Sequence, residues 1–389
     1  MATISRLTNI IRRDFTHDTA RSPFKTISYL SCGPDDGSLL IFIHGWPGLS
    51  VTWRPQLLTF AGLGFRVIAP DMPGYGGSTI TKTKEDYSMQ SLVTVMLLFL
   101  KHLGREEAIW AGHDWGAGLV WALLAHNPEA CSGVVNMCLP YRTLEMGVDE
   151  LIKYANRDLY PEDEFPHAQW DYQKWYEAKD DDGGNSNFEK AVKMYEADVG
   201  NFLKAMFRPS SKRVPEEDKD KDKIQDQDRG RGQDQRAPTS TVSKDGGFFG
   251  GADKAPETDI ADSLLDEEML GEMVDAYTAG GLWGPTAWYL NHDANKVWAD
   301  DWSVNEGVVS VPTLFVDARQ DHVVGTYNSK IKRAMESFCR KHMEVRIEAG
   351  HWVALEQPEQ VNAAIARWIA TKVPRAWPFD KRAPLMETD

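Results

Sequence analysis

Cysteine is scarce in this chain. Four cysteines are spread over 389 residues, at positions 32, 131, 138 and 339, with neither the paired spacing of a zinc site nor the density of a disulfide framework. Cys131 and Cys138 flank an apolar segment and read as small core residues. Long apolar runs are also missing, since no stretch approaches the roughly 18 residues that a membrane-spanning helix needs. The first residues, Met1-Ala-Thr-Ile-Ser-Arg6, lack the apolar core of a signal peptide. Basic residues are outnumbered, 43 Lys and Arg against 58 Asp and Glu, for a net charge of -15. That balance argues against a nucleic-acid or anionic-membrane partner. No peroxisomal tripeptide is present at Met386-Glu-Thr-Asp389. These absences lead to the expectation of a cytoplasmic protein without a membrane span. A hydrophobic content of 42% suffices for a sizeable core.

What is present is a regular alternation. Residues 1–24 are polar and weakly patterned, then 25–31 alternate as a half-exposed strand should. Ser38-Leu-Leu-Ile-Phe-Ile-His44 is apolar throughout, the sign of a central parallel strand. Short apolar strands follow at 64–71, before Gly112 and at 133–139, with helical spacing between them from Ser88 to Leu103 and from Trp115 to Ala125. Strand and helix thus alternate up to Pro140, predicting a mostly parallel sheet with helices on both faces. The pattern then changes: 141–300 are aromatic-rich and helical in period, and strands return at 311–317 and 343–348 before a closing helix from Pro358 to Lys372. The expected organisation is a core of 1–140 and 301–389 carrying an inserted helical lid, 141–300. Residues 211–245 hold 18 charged residues, nine of each sign, and only Val214, Ile224, Ala237 and Val242 as aliphatics. Such a stretch buries too little to offset its ordering entropy, so a disordered insertion is expected there.

The chain is organised around Gly112-His-Asp-Trp-Gly116, where an apolar strand breaks at a glycine-flanked polar residue and a helix resumes. This is the form of a nucleophile elbow, a side chain held on a sharp turn above a parallel sheet. Its centre is Asp114 instead of serine. A serine alkoxide suits acyl carbon, whereas a carboxylate can displace a leaving group from saturated carbon and remain as an ester. Hydrolysing that ester requires an activated water and therefore a base. His351, in Gly350-His-Trp352 after the last strand, is the histidine placed to reach the elbow. The acid orienting it should follow the preceding strand, which leaves Asp317 and Asp321, with Asp321 preferred because it lies on the loop beyond. His44-Gly-Trp-Pro-Gly48 ends the central strand. In such a fold this loop supplies one oxyanion donor and the residue after the nucleophile the other, so the main chains of Trp46 and Trp115 are the expected pair. Pro47 restricts Trp46 to extended or turn geometry and allows a cis bond.

Taken together, His44-Gly-Trp-Pro47, Asp71-Met-Pro-Gly-Tyr-Gly76, the elbow, Asp171-Tyr-Gln-Lys-Trp-Tyr176, Leu203-Lys-Ala-Met-Phe-Arg208, Gly284-Pro-Thr-Ala-Trp-Tyr-Leu-Asn291 and Gly350-His-Trp352 make the chain resemble the epoxide hydrolases of the α/β-hydrolase fold, specifically the soluble type. The resemblance runs from about residue 25 to residue 370, interrupted by the charged insertion. It implies an α/β-hydrolase core with a lid, no cofactor and no metal, and a small hydrophobic epoxide and water as the reacting partners. It also implies two lid tyrosines that hold and protonate the epoxide oxygen. Tyr289 matches one; Tyr172 matches the other, in competition with Tyr176. His44, Pro47, His113, Trp288 and Trp352 are the expected substrate-side lining. Trp46 stands where phenylalanine is usual in this family, and Leu290 where arginine is common. Some relatives carry an additional N-terminal phosphatase domain, which is not expected here. A haloalkane or haloacid dehalogenase remains the alternative, since it uses the same Asp nucleophile and histidine with halide-binding groups in place of the tyrosines.

Overall fold

The computed structural model describes residues 9–178, 187–212 and 236–378. Its strands are β1 (Ile11–Thr16), β2 (Thr26–Cys32), β3 (Leu39–Ile43), β4 (Arg66–Pro70), β5 (Ala108–His113), β6 (Cys131–Met137), β7 (Thr313–Ala318) and β8 (His342–Ile347). They form one sheet in the order β1-β2-β4-β3-β5-β6-β7-β8. The pairs from β4 through β8 are parallel, while β2 runs antiparallel to both β1 and β4. All of β3 and β5 is buried, as expected of central strands covered on both faces. The covering helices are α1 (Arg54–Gly62), α2 (Met89–His102), α3 (Trp115–His126) and, at the C-terminal side, α9 (Pro358–Lys372). Helix α1 packs on α9, and α2 on α3.

Strand β1 is absent from the sequence-based expectation. It pairs along its whole length with β2, from Ile11 opposite Ser31 to Thr16 opposite Thr26. Only Phe15 of its six residues is buried, so an edge strand held by backbone bonds leaves little apolar periodicity to read.

Between β6 and β7 the described residues form helices and turns, apart from an isolated bridge of Val309 to Cys339. The longer helices are α4 (Asp171–Glu177), α5 (Asn187–Glu196), α6 (Val199–Met206), α7 (Glu267–Gly280) and α8 (His292–Trp302). They make a cap whose inner side chains, among them Tyr172, Tyr195, Phe202 and Tyr289, join the core cluster. The expected disorder over 211–245 needs correction at both ends, since Ser210–Lys212 form a helical turn. Residues 213–235 lie outside the described residues, but 236–245 are folded onto the cap. The Ala237 N–H donates to the Tyr160 hydroxyl at 2.8 Å, and Ser243 gives its N–H and hydroxyl to Asp171 at 2.7 and 2.9 Å. These polar anchors, invisible to a count of aliphatic residues, offset the ordering cost.

Candidate active site

Strand β5 ends at His113 and α3 begins at Trp115, leaving Asp114 at the turn with φ 54° and ψ -126°. A non-glycine residue held at positive φ is uncommon and points to a constrained site. The constraint comes from close approach. A Cβ on Gly116 would fall far inside contact distance of the Ile43 carbonyl oxygen, and one on Gly45 would meet the Asp114 carboxylate itself. Glycine at both positions lets the loop after β3 lie directly against the elbow.

That approach sets the first contact of the carboxylate. The Trp46 main-chain N–H donates to Asp114 Oδ1 at 2.8 Å. The Trp46–Pro47 bond is cis. The indole of Trp46 is anchored in the cap, donating from Nε1 to Thr286 Oγ1 at 3.2 Å. Trp115, the other expected donor, opens α3, and its ring stands edge-on to Tyr289 at a centroid distance of 4.9 Å.

His351 faces the other oxygen. Its Nε2 lies 3.6 Å from Asp114 Oδ2, and its Nδ1 lies 2.9 Å from Asp321 Oδ2. The second oxygen of Asp321 accepts the N–H groups of Val323 and Val324 at 2.9 and 3.1 Å. Asp317 is engaged elsewhere, accepting from the Thr326 hydroxyl and pairing with Lys332 Nζ at 2.8 Å. Of the two carboxylates left open by the sequence, Asp321 is thus the one brought to His351. Burial opposes charge on the imidazole, but the Asp321 and Asp114 carboxylates outweigh it and raise His351 to about 9.

The loops carrying these groups are held by two more histidines. His44 accepts the Met72 N–H at Nε2 (3.0 Å), so its Nδ1 donates to the Gly45 carbonyl at 2.9 Å. His113 donates from Nε2 to the His351 carbonyl at 2.7 Å, and the Cys138 thiol donates to the same oxygen at 3.2 Å. Burial lowers both His44 and His113 to about 4. Expected among the substrate-side residues, both imidazoles are neutral and bonded to backbone, His44 through both nitrogens and His113 through Nε2. From the sequence Cys138 reads only as a core residue, since nothing in the local pattern shows its contact with a loop more than 200 residues away. Pro47 accepts the Tyr277 hydroxyl at its carbonyl (3.0 Å), Trp288 donates to the Pro73 carbonyl (3.2 Å), and Trp352 donates to the Met206 carbonyl (2.7 Å) while stacking on Phe207 at 3.9 Å. These three line the surroundings chiefly as packed surface.

Two cap tyrosines meet beside Trp46 and Trp115, the residues that flank the Asp114 carboxylate. Tyr172 and Tyr289 have ring centroids 5.6 Å apart, and Tyr289 also packs 5.7 Å from Trp46. Both are pushed up by burial first, and the ionised Asp114 adds to the shift of each. Gln173 Nε2 donates to the Tyr172 hydroxyl at 2.9 Å, which leaves that phenol's own proton available. Tyr176 differs. Its hydroxyl lies 2.6 Å from that of Tyr195, and after burial its shift comes from Tyr195, with no contribution from Asp114. The chemical content of the site is therefore a buried carboxylate, an imidazole–carboxylate pair on one side and two protonated phenols on the other.

A family model described as the alpha/beta hydrolase fold matches residues 38–358. The chain is similar to a bifunctional epoxide hydrolase of Sus scrofa, 28% identical over 358 residues that cover 90% of this chain and 53% of that protein. It is 27% identical over 372 residues to an epoxide hydrolase of Neurospora crassa, covering 90% and 94% of the two chains. It therefore spans about half the length of the first relative and nearly all of the second. The crystal structure of epoxide hydrolase A from Mycobacterium thermoresistibile shares the fold, with a TM-score of 0.67 at 24% identity over 93% of this chain and 99% of that one. By the extent of the family match, this chain belongs to the alpha/beta hydrolase fold family.

Proposed function

We propose that the protein hydrolyses a small apolar epoxide to a vicinal diol in two steps. Asp114 Oδ1 rests on the Trp46 N–H, so Oδ2 is the oxygen that attacks an epoxide carbon. The C–O bond of the ring breaks as the ester forms, and the departing oxygen takes a proton through Tyr172 or Tyr289. An alkoxide is a poor leaving group, and a phenol that stays protonated at neutral pH is suited to assist it. Forming the ester erases the Asp114 charge. One of the two carboxylates that hold His351 at about 9 is thereby lost, so the imidazolium releases to solvent a proton equivalent to the one the epoxide oxygen has taken, and the neutral imidazole is left as the base. Its Nε2 then takes a proton from water as the oxygen adds to the Asp114 carboxyl carbon. The oxyanion develops at Oδ1 against the Trp46 N–H, with the Trp115 N–H as second donor. Collapse releases the diol and restores the carboxylate.

The observation that carries this reading is the packing of Tyr172 against Tyr289, both within the electrostatic reach of Asp114. A dehalogenase needs halide-binding groups there, not proton donors. The deciding experiment offers the enzyme an aryl epoxide and, separately, a bromoalkane. Diol formation without bromide release is expected; bromide release without diol would overturn the proposal. The similarity to epoxide hydrolases over about nine-tenths of the chain supports the same choice.

A further inference from the structure

Asp114, His351, Tyr172 and Tyr289 are all buried, so the side chains packed against them bound the space a substrate would occupy. The wall beside Tyr172 has an unusual construction. Residues 246–251 read Gly-Gly-Phe-Phe-Gly-Gly. Gly246, Gly247, Phe249, Gly250 and Gly251 all have positive φ, and Phe249 sits in the left-handed region at φ 55° and ψ 38°. Four glycines leave this hexapeptide little side-chain anchorage apart from Phe248. The Phe248 ring is 7% exposed and lies 5.8 Å from Tyr172, 6.1 Å from Tyr176 and 5.7 Å from Tyr195. Phe249, next in the chain, is half-buried, and Gly250 is exposed. Phe248 thus packs on Tyr172 from a glycine-flanked segment that reaches the surface at Gly250.

We propose that Phe248 is a specificity-determining residue, closing the outer wall of the site beside Tyr172 and setting how large an apolar substituent on the epoxide is accepted. This rests on the epoxide reading above. Its aromatic neighbours make that end of the site suited to an aryl group, which would take the place of the ring when Phe248 swings aside. Glycines on both sides supply the backbone freedom for that movement.

The test compares kcat/KM for stilbene oxide with that for propylene oxide in the wild type and in Phe248→Ala, Phe248→Leu, Phe248→Trp and Phe249→Ala. The stilbene-to-propylene ratio should rise about tenfold or more in Phe248→Ala, the range in which pocket volume discriminates substrates. Phe248→Leu should be intermediate, Phe248→Trp should lower the ratio, and Phe249→Ala should leave it unchanged. Should the alanine variant fail to fold, the opposed shifts of Leu and Trp carry the test. An unchanged ratio in folded Phe248 variants of an enzyme that hydrolyses both epoxides would overturn the proposal. A wild type that turns over neither epoxide would instead defeat the epoxide reading, a distinguishable result.

Discussion

Trp46 binds Asp114 through its main chain and the cap through its side chain: the N–H meets Oδ1 at 2.8 Å while the indole donates to Thr286 at 3.2 Å. The two carboxylate oxygens of Asp114 are thereby made unequal, one on a donor and the other facing His351 at 3.6 Å. A phenylalanine at position 46 could give the first bond but not the second. Thr286 lies three residues before Tyr289, so the same indole ties the loop after β3 to the segment carrying a proposed proton donor.

Thr286→Val removes that acceptor with little change in volume. A buried indole N–H left without a partner costs about 1–3 kcal/mol, so thermal stability should fall, and kcat should fall several-fold as Tyr289 loses its alignment with the elbow. Wild-type kcat in a destabilised variant would restrict the bond to a structural role.

The two half-reactions can be separated. His351→Gln should still be alkylated, because Asp114 attacks without a base, but ester hydrolysis should stall. Intact-mass and peptide analysis after mixing with an epoxide should show one substrate mass on the peptide containing Asp114, and none in Asp114→Ala. In heavy-oxygen water, a single wild-type turnover should place solvent oxygen in Asp114. Label found only in the diol would mean that water attacks the substrate directly.

The three tyrosines should behave differently. Tyr289→Phe and Tyr172→Phe remove hydroxyls whose environment includes Asp114, and each should slow ester formation in single-turnover measurements by roughly a hundredfold. Tyr176→Phe breaks the 2.6 Å contact with Tyr195. It should lower the melting temperature by a few degrees and leave ester formation near the wild-type rate. The reverse pattern would exchange the roles of Tyr172 and Tyr176.

The contribution of the buried histidines to stability should be largest close to pH 6.5–7. His351 is raised from 6.5 to about 9, so its charged-state stabilisation is complete below pH 6.5 and is lost as the pH climbs through 9. Burial lowers His44 and His113 to about 4 and His292 to about 3. The unfolded chain takes up those protons first, so stability falls as the pH drops from 6.5 towards 4. Melting temperatures across this range should show both limbs, with His351→Gln flattening the alkaline one alone. An unaltered alkaline limb in that variant would assign it to other groups.

The charged stretch should divide at residue 236. A Gly/Ser linker in place of residues 213–235 should leave activity within a few-fold of wild type, since their composition offers little apolar surface to bury. Extending the replacement through 245 removes the Ala237–Tyr160 and Ser243–Asp171 bonds. Asp171 opens α4, the helix of Tyr172, and activity should then collapse. Equal activity in both variants would show that these bonds do not position the helix.

The sequence by itself was enough for the alternation of strand and helix, the elbow at Asp114, the neighbouring His44–Gly48 loop and the histidine after the last strand. Each of these is written in local period, in turn residues or in the order of elements along the chain, which short-range sterics enforce. It left Tyr172 against Tyr176 open, gave only a preference between Asp317 and Asp321, and missed β1. Those matters turn on partners distant in the chain. Tyr176 faces Tyr195, Asp317 faces Lys332, and β1 is held by β2. The protonation of the buried histidines is decided the same way: among the described residues four buried imidazoles divide into three lowered and one raised. Burial disfavours charge at all four, and only at His351 does the tertiary fold bring two carboxylates close enough to prevail over it.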